Sequence, residues 1–253
     1  MSHLQINGTS LFYDWANDFD PLLETVVFLH DGLGAASAWK HLPKRIAESH
    51  NVNALVYDRH GYGQSDPREN FPFKFMEAEV PVLLDLLDAL DLERVHLIGH
   101  SDGGSIALLL AAQHPRRVKS VVTIAAHVFV EPETQAGIRD LVSLQNAGKT
   151  PEWMHKLHGE NAEELLRAWS DGWLSEQHAG WNIEQWLQDV RCPLLVMQGD
   201  RDEFGTEAQV DAIINRAPNA KSWIAPGCGH TPHNQKPDAF LDEISAFYKN
   251  GAR

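Results

Sequence analysis

The chain has few cysteines, few basic residues and no long hydrophobic run, and each shortage excludes a class of protein. Its 253 residues contain two cysteines, Cys192 and Cys228, too few for a disulfide framework and typical of a reducing compartment. Lysine and arginine number 21 against 35 aspartates and glutamates, which gives a formal net charge of −14. That balance argues against nucleic acid or an anionic membrane as a partner.

Membrane, export and cofactor signals are also missing from the sequence. No apolar run is long enough to cross a bilayer, and residues 1–20 lack the basic and apolar regions of a signal peptide. We therefore expect a cytoplasmic protein. No glycine-rich nucleotide motif follows a predicted strand, so we expect no cofactor. There is no HExxH pattern, and His155 and His158 lack a companion cluster, so we expect no metal and place both on the surface.

The most informative segment present is Gly99–Gly103, Gly-His-Ser-Asp-Gly, which fits G-x-S-x-G. An apolar run at 94–98 precedes it, and small and aliphatic residues follow it at 106–112. Strand, tight turn and helix form the context of a nucleophile elbow, which exposes Ser101 above a sheet. An ordinary glycine-serine turn is the alternative, and the flanking strand and helix favour the elbow.

Apolar runs predict an alternation of strands and helices along most of the chain. Predicted strands lie at 25–30, 53–58, 94–98, 118–125, 193–198 and 220–224, and predicted helices at 38–48, 75–90, 106–112 and 237–248. This alternation predicts the α/β class, with a mostly parallel central sheet and helices on both faces.

The alternation breaks after Ala126, where several short helices carry five of the eight tryptophans. These are Trp153, Trp169, Trp173, Trp181 and Trp186. We predict a core formed by 1–130 and 190–253, with 131–189 inserted as a short helical lid. We expect Trp153 and Trp173 to line a substrate pocket; the alternative is that these rings only fasten the insertion to the core.

In the order of these segments the chain resembles the α/β-hydrolase superfamily over essentially its whole length. The resemblance rests on the loop at 30–34, the strand and loop at 58–66, the elbow, and the loop that ends at His230. It implies an α/β-hydrolase fold with Ser101 as nucleophile, followed along the chain by an acid and then a histidine. A serine hydroxyl needs such a base, which is itself oriented by the acid.

Three carboxylates in the loop at 199–203 are candidates for the acid. The resemblance favours Asp202, because related hydrolases carry the acid three residues after the glycine; Asp200 is the runner-up, or a turn carboxylate. His230 follows the last strand between small residues and is the predicted base, whereas we expect His233 on the outer side of its loop. Backbone N–H groups of Gly32 and Asp102 are the predicted oxyanion donors.

Asp102 is unusual, because a carboxylate beside the nucleophile adds negative charge near a developing oxyanion. A cationic substrate group, such as an α-ammonium, would offset that charge. Alternatively, Asp102 turns away and caps neighbouring N–H groups or pairs with an arginine. The sequence leaves both interpretations open. Leu33, in the loop before the next helix, is assigned to the substrate-binding wall.

Within the superfamily, the chain resembles the valacyclovir hydrolase (biphenyl hydrolase-like) group, which shares Ser-Asp-Gly-Gly at the elbow and a short helical lid, here at 136–140. This likeness implies hydrolysis of α-amino acid esters, with Asp102 as the ammonium ligand. The match departs at His100, where that group has tryptophan, and at His30–Gly34, which is closer to the iminopeptidase pattern.

We therefore predict a cofactor-free serine hydrolase of small carboxylic esters, present as a monomer or homodimer. The alternatives are carbon–carbon bond hydrolysis, a cofactor-free peroxidase-like activity, and a ligand-binding protein without turnover.

Overall fold

Alternating strands and helices build an eight-stranded sheet in this computed structural model, which describes residues 2–252. The strands are β1 (Ser2–Ile6), β2 (Thr9–Trp15), β3 (Thr25–Leu29), β4 (Asn53–Tyr57), β5 (Val95–His100), β6 (Val118–Ile124), β7 (Leu194–Gly199) and β8 (Ala220–Ala225). They lie in the order β1-β2-β4-β3-β5-β6-β7-β8, and the pairs from β4 to β8 are parallel. The predicted α/β-hydrolase fold with a mostly parallel sheet is confirmed.

Helices cover both faces of the sheet, as the alternation predicted. They are α1 (Leu42–His50), α2 (Phe75–Ala89), α3 (Asp102–Gln113), α4 (Pro132–Asn146), α5 (Glu152–His158), α6 (Ala162–Leu174), α7 (Glu184–Leu187), α8 (Glu207–Ile214), α9 (Pro232–Gln235) and α10 (Pro237–Phe247). Apolar residues of α1 and α10 share one buried cluster, and those of α2, α3 and α8 share the other. Helix α3 is buried from residue 102 to 112, which explains why its sequence is apolar on every side.

Helices α4 to α7 are inserted between β6 and β7. They lie within 131–189, the segment in which the sequence predicted a lid, and its action as a lid stays a prediction. Helix α6 buries Trp169 and Trp173 together with Leu165 and Leu166. The aromatic side chains therefore do fasten this insertion to the core, whatever else they contact.

Two local features differ from the sequence prediction. The N-terminal strands β1 and β2 pair antiparallel across Asn7-Gly8, where both residues have positive φ (52° and 85°); Asn-Gly is the residue pair that favours such a hairpin turn. The helix predicted at 38–48 is a 3₁₀ turn at Ala36–Trp39 followed by α1, because Lys40 takes a φ of 52° and ends the first turn. Across residues 2–252 no helix has the length and hydropathy needed to span a bilayer.

Candidate active site

Ser101 occupies a strained turn between β5 and α3. Its φ of 51° and ψ of −121° are costly for a residue with a side chain, by about 1–3 kcal/mol. The turn is held because the Ser101 N–H donates to the Ile124 carbonyl at 2.8 Å and the Ser101 carbonyl accepts from the Gly104 N–H at 2.8 Å. The main chain of this residue is therefore fixed by the neighbouring strand and by its own helix.

Gly99 and Gly103 have no room for a side chain. A Cβ atom on Gly99 would lie 2.3 Å from the Gly103 carbonyl oxygen, and one on Gly103 would lie 2.1 Å from the carbonyl oxygen of Leu29. Strand and helix thus approach each other main chain to main chain around the serine. This packing is the physical reason for both glycines of the G-x-S-x-G pattern.

The predicted acid and base are hydrogen-bonded to each other. Asp202 lies in the loop after β7, and its Oδ1 accepts from His230 Nδ1 at 2.8 Å. The side chain of Asp202 is 1% exposed and that of His230 is 11% exposed. Burial is the largest single influence and works against both charged forms. The attraction between the two groups and the smaller influences of their neighbours together outweigh it, so the pKa of Asp202 is lowered and the pKa of His230 is raised.

The two alternatives near this pair have other contacts. Asp200 Oδ1 accepts the Gly227 N–H at 2.6 Å, so the runner-up acid is a turn carboxylate. The prediction of an outward His233 is wrong: the residue is 7% exposed. Its ring lies 5.4 Å from that of Trp39 and 4.8 Å from that of His100, because the short helix α9 turns its side chain inward.

A cavity of about 930 Å³ opens above the elbow, and Ser101, Asp202 and His230 all line it. Within the described part of the chain no hydrogen bond joins the Ser101 hydroxyl to His230, as is common before a substrate is bound. The structure brings the residues predicted for the substrate pocket to the same cavity, namely Leu33, Asp102, Trp153 and Trp173. Trp169 also lines it, and no sequence pattern distinguished this ring from the others of the insertion.

Gly32 lies directly after Asp31 at the end of β3 and lines the same cavity. The carbonyl of Asp31 accepts hydrogen bonds from Arg59 Nη2 at 2.7 Å and from His30 Nδ1 at 2.8 Å. The indole of Trp169 lies against the other side of the loop, since a Cβ on Gly32 would be 2.4 Å from its Nε1. The loop is thus packed between the core and the insertion.

The carboxylate of Asp102 is completely buried (0% exposed). Its Oδ2 accepts from Trp169 Nε1 at 3.0 Å, and its Oδ1 has no hydrogen-bond partner among residues 2–252. Burial raises the pKa of Asp102, while the positive charge of Arg59 and the indole N–H of Trp169 oppose that rise. The indole shields the carboxylate from the cavity, so binding of a substrate ammonium here stays a prediction that requires the indole to move.

His158 does not lie on the surface, contrary to the sequence prediction. It is the last residue of α5, and Gly159, with a φ of 59°, turns the chain so that the ring points to the core. His158 Nδ1 accepts the Gly63 N–H at 3.0 Å, so Nε2 carries the proton and donates to the Leu33 carbonyl at 2.8 Å. His155, by contrast, has a side chain that is 47% exposed.

Sequence reasoning also missed a contact between its two departures from the resembled group. His100 Nε2 donates to the His230 carbonyl at 2.9 Å, and its Nδ1 lies 3.6 Å from Asp31 Oδ1. Burial works against the charge of Asp31, but His100, together with His30 and His230, outweighs it, and the pKa of that carboxyl lies well below its usual range. His100 therefore connects the loop of Gly32 with the loop of His230. The available signal was that the chain departs from the resembled group at both places, His100 and the loop of Asp31, and carries polar residues there.

Carboxylates outnumber cations on the cavity wall. The acidic lining residues are Asp31, Asp102, Glu133, Asp140, Asp202 and Glu203, and the lysines are Lys40 and Lys156. Within the described ranges, 2–252, no group of three or more histidine, cysteine, aspartate or glutamate side chains is arranged to hold a metal ion. The wall thus favours neutral or cationic ligands over anionic ones.

Comparison with known proteins adds a family and several relatives. Residues 24–183 match the family model described as alpha/beta hydrolase fold. Serine hydrolase BPHL of Homo sapiens is 28% identical over 247 residues, which cover 93% of this chain and 81% of that protein. Esterase YbfF of Escherichia coli (strain K12) is 27% identical over 243 residues, covering 88% of this chain and 92% of the esterase.

A third relative is named for a different substrate class. The 2-hydroxy-6-oxononadienedioate/2-hydroxy-6-oxononatrienedioate hydrolase of Cupriavidus pinatubonensis is 26% identical over 270 residues, covering 96% of this chain and 93% of that enzyme. The relatives therefore agree on hydrolysis and differ in the compound that is hydrolysed.

Proposed function

The chain belongs to the alpha/beta hydrolase fold family, and from this premise we propose that it is a serine hydrolase that cleaves small carboxylic esters through an acyl-enzyme. One observation carries the proposal. A serine in a strained elbow shares a cavity with a histidine whose Nδ1 is held by a buried carboxylate at 2.8 Å. These are the three parts of a Ser-His-Asp mechanism.

In the first step Ser101 Oγ forms a bond to the ester carbonyl carbon while its proton passes to His230 Nε2. The carbonyl π electrons move to oxygen, and the N–H groups of Gly32 and Asp102 donate hydrogen bonds to the resulting oxyanion. Asp202 keeps the Nδ1 proton of His230 in place and stabilises the imidazolium that forms.

In the second step the tetrahedral intermediate collapses, the C–O bond to the alcohol breaks, and His230 gives its proton to the departing oxygen. Water then attacks the acyl group on Ser101 and gives a proton to His230. Collapse of this second intermediate returns the proton to Ser101 and releases the acid. No cofactor is needed for any step.

Specificity is proposed to lie in the insertion, acting as a lid over the cavity. Trp169 and Trp173, both from α6, form its inner wall, and the half-exposed Trp153 of α5 lies at its edge. Together with Leu33 these rings suit an apolar or aromatic group on a small ester.

A preference for α-amino acid esters is a second candidate, supported by the excess of carboxylates on the wall and by the resemblance to a group with that activity. It requires a substrate ammonium to replace the Trp169 indole at Asp102. Hydrolysis of a dicarboxylate, as in the relative from Cupriavidus pinatubonensis, is disfavoured by the same excess. The cytoplasmic location and the monomeric or homodimeric state expected from the sequence stay predictions.

The test is steady-state hydrolysis of paired esters of one alcohol, with and without an α-amino group. Ser101→Ala is expected to lose activity on the order of 10⁶-fold, whereas Ser222→Ala, on the exposed side of β8, keeps it. An amino-ester preference that disappears in Asp102→Asn supports the second candidate. Turnover that survives Ser101→Ala would contradict the serine mechanism.

A further inference from the structure

Arg59 is a completely buried cation that the mechanism above does not use. It follows β4 in the segment 58–66, is 0% exposed, and has its guanidinium carbon 4.5 Å above the centre of the Tyr62 ring. Inside residues 2–252 no carboxylate lies within 4 Å of its nitrogens, and Nε and Nη1 have no hydrogen-bond partner. Burying a charge without an ion pair costs several kcal/mol, so a compensating role is expected.

The guanidinium donates to two main-chain carbonyls, and its contact with the Asp31 carbonyl is the shorter. Arg59 Nη2 lies 2.7 Å from the Asp31 carbonyl oxygen and 3.3 Å from that of His30. The imidazole of His30 donates to the Asp31 carbonyl as well, at 2.8 Å. Its proton is on Nδ1 because His30 Nε2 accepts the Arg59 N–H at 3.1 Å. Two buried side-chain donors, one of them charged, thus hold a single carbonyl, which also accepts the Gly34 N–H at 3.3 Å.

That carbonyl belongs to the same peptide group as the Gly32 N–H, one of the two proposed oxyanion donors. In a planar trans peptide the C=O and the N–H point in opposite directions, and no cis peptide occurs in residues 2–252. Holding the Asp31 carbonyl toward the core therefore directs the Gly32 N–H to the opposite side. Gly32 is among the residues that line the cavity, so we place its N–H on the cavity side.

Arg59 also acts on the second proposed donor, Asp102. Its positive charge is the largest influence opposing the rise that burial causes in the pKa of that carboxyl. The sequence had suggested either a substrate cation or an arginine to offset this carboxylate. Arg59 supplies the positive charge from inside the protein, although it lies beyond ion-pair distance.

From these contacts we infer that Arg59 is a positioning residue of the oxyanion site: it orients the Gly32 N–H through the Asp31 carbonyl, to which its guanidinium donates at 2.7 Å. The inference rests on the proposed ester hydrolysis. It assigns to the segment 58–66 a part in stabilising the transition state.

The test compares Arg59→Met and Arg59→Lys with Arg68→Met. Arg68 is a matched control, since its side chain is only 14% exposed, pairs with the buried Glu79 at 2.8 Å and does not line the cavity. Four quantities are measured: kcat and KM for a neutral ester, the melting temperature, and the affinity for a trifluoromethyl ketone with the same acyl group. Addition of Ser101 Oγ to this ketone creates an oxyanion without turnover.

Arg59→Met is expected to lose about 10²-fold in kcat, the size of effect that follows loss of one oxyanion donor. KM should change little, and the ketone affinity should fall by the same factor as kcat. Arg59→Lys recovers part of both losses. Arg68→Met lowers the melting temperature but leaves kcat and ketone affinity unchanged.

Equal losses of kcat in Arg59→Met and Arg68→Met, or an unchanged ketone affinity in Arg59→Met, would overturn the inference. If Arg59→Met does not fold, the test relies on Arg59→Lys. Wild-type kcat and wild-type ketone affinity in that variant would also overturn the inference. A wild-type protein that neither hydrolyses esters nor binds the ketone would refute the proposed function itself, which distinguishes the two failures.

Discussion

The elbow and the inserted helices both border the cavity, but they are attached to the protein in different ways. Around Ser101 the contacts are made by main chain, such as the N–H to the Ile124 carbonyl at 2.8 Å and the side-chain-free packing of Gly99. The insertion reaches the same region through side chains. Trp169 Nε1 contacts Asp102 Oδ2 at 3.0 Å, and His158 Nε2 contacts the Leu33 carbonyl at 2.8 Å.

This difference separates two properties of the proposed enzyme. Main-chain contacts depend on the sheet and do not change with most substitutions, so the geometry of bond breaking is set by the core. Side-chain contacts change with every substitution, so the shape and polarity of the cavity are set by the insertion. Substitutions in the first region should lower kcat, and substitutions in the second should change KM and the choice of substrate.

After Ser101→Ala itself, the largest effect is expected for the acid of the core. Asp202→Asn keeps the size of the side chain but cannot hold His230 in the same tautomer, and comparable changes lower kcat by about 10⁴-fold. Steady-state kinetics on a neutral ester measure this loss, with Asp200→Asn as the matched control in the same loop. A similar loss of kcat in both variants would show that the loss comes from a disturbed loop and not from removal of the Asp202 carboxylate.

An intermediate effect is expected for the hydrogen bond that attaches the insertion to the elbow. Trp169→Phe removes the indole N–H from Asp102 and leaves a buried carboxylate without a partner. A hydrogen bond to a charged group contributes about 1.5–3 kcal/mol of interaction free energy, which the variant loses. The lower end of that range corresponds to a factor of about ten in an equilibrium constant. Because Trp169 lines the cavity, we expect this loss to weaken substrate binding and raise KM about tenfold, while kcat stays within about threefold.

Trp186→Phe is the control for that substitution, because Trp186 belongs to the insertion and packs on the core without lining the cavity. The measurement is a panel of esters with different acyl groups. A fall in kcat with unchanged KM in Trp169→Phe would break the proposed separation between core and insertion.

A smaller effect concerns how acid affects the insertion. His178 is stacked on Trp181 (5.4 Å, 9°) and on Phe75 (5.5 Å, 20°), and in the described chain neither of its ring nitrogens has a partner. Burial lowers its pKa to about 4. At a pH below about 6.5, the ordinary pKa of histidine, His178 binds a proton in the unfolded chain but not in the folded protein. Folding stability therefore falls as the pH drops from about 6.5 toward 4.

His178→Phe should remove this contribution, which is at most about 1.4 kcal/mol per pH unit. Urea unfolding at pH 7, 6 and 5 measures it, and His155→Phe, on the exposed side of α5, is the control. If the free energy of unfolding of His178→Phe depends on pH as that of the wild type does, protonation of His178 is not coupled to folding.

The smallest effect is a shift of the pH–rate profile. His230 must be neutral to accept a proton, and its pKa is raised because the Asp202 carboxylate outweighs burial. The rate should therefore rise with pH through a value above the ordinary 6.5 of histidine. The carboxylate of Glu203 accepts the backbone N–H of His230 at 3.1 Å, and its charge adds to this rise in the pKa of the imidazole.

Glu203→Gln keeps an acceptor for that N–H but removes the charge, so the acid limb should move to lower pH by less than about one unit. Profiles of kcat/KM against pH measure the shift. Glu48→Gln, whose side chain is 65% exposed on α1, should leave the profile unchanged. A shift to higher pH in Glu203→Gln would contradict the assignment of His230 as the base.

The same contrast explains what could be predicted from the sequence. The elbow, the loop of Asp202 and the loop of His230 each consist of a strand followed by a few residues, and parallel strands bring such loops to one edge of the sheet. Order along the chain was therefore enough to bring them together. The contact between Trp169 and Asp102 spans 67 residues and depends on how α6 packs, which no local pattern encodes.

The buried positions of His158 and His233 were missed for a related reason. His158 is the last residue of α5 and His233 is the second residue of α9. For each ring, the turn next to its short helix decides whether the ring faces solvent or core. By comparison, the β1–β2 hairpin had a local signal in Asn7-Gly8 that sequence reasoning could have used.

The central claim, an acyl-enzyme on Ser101, is tested most directly by mass spectrometry of protein quenched in acid during turnover of a slow ester. The account predicts a mass increase equal to the acyl group, located by digestion to the peptide that contains Ser101 and absent in Ser101→Ala. An acyl group on another residue, or full turnover by Ser101→Ala without any adduct, would contradict it.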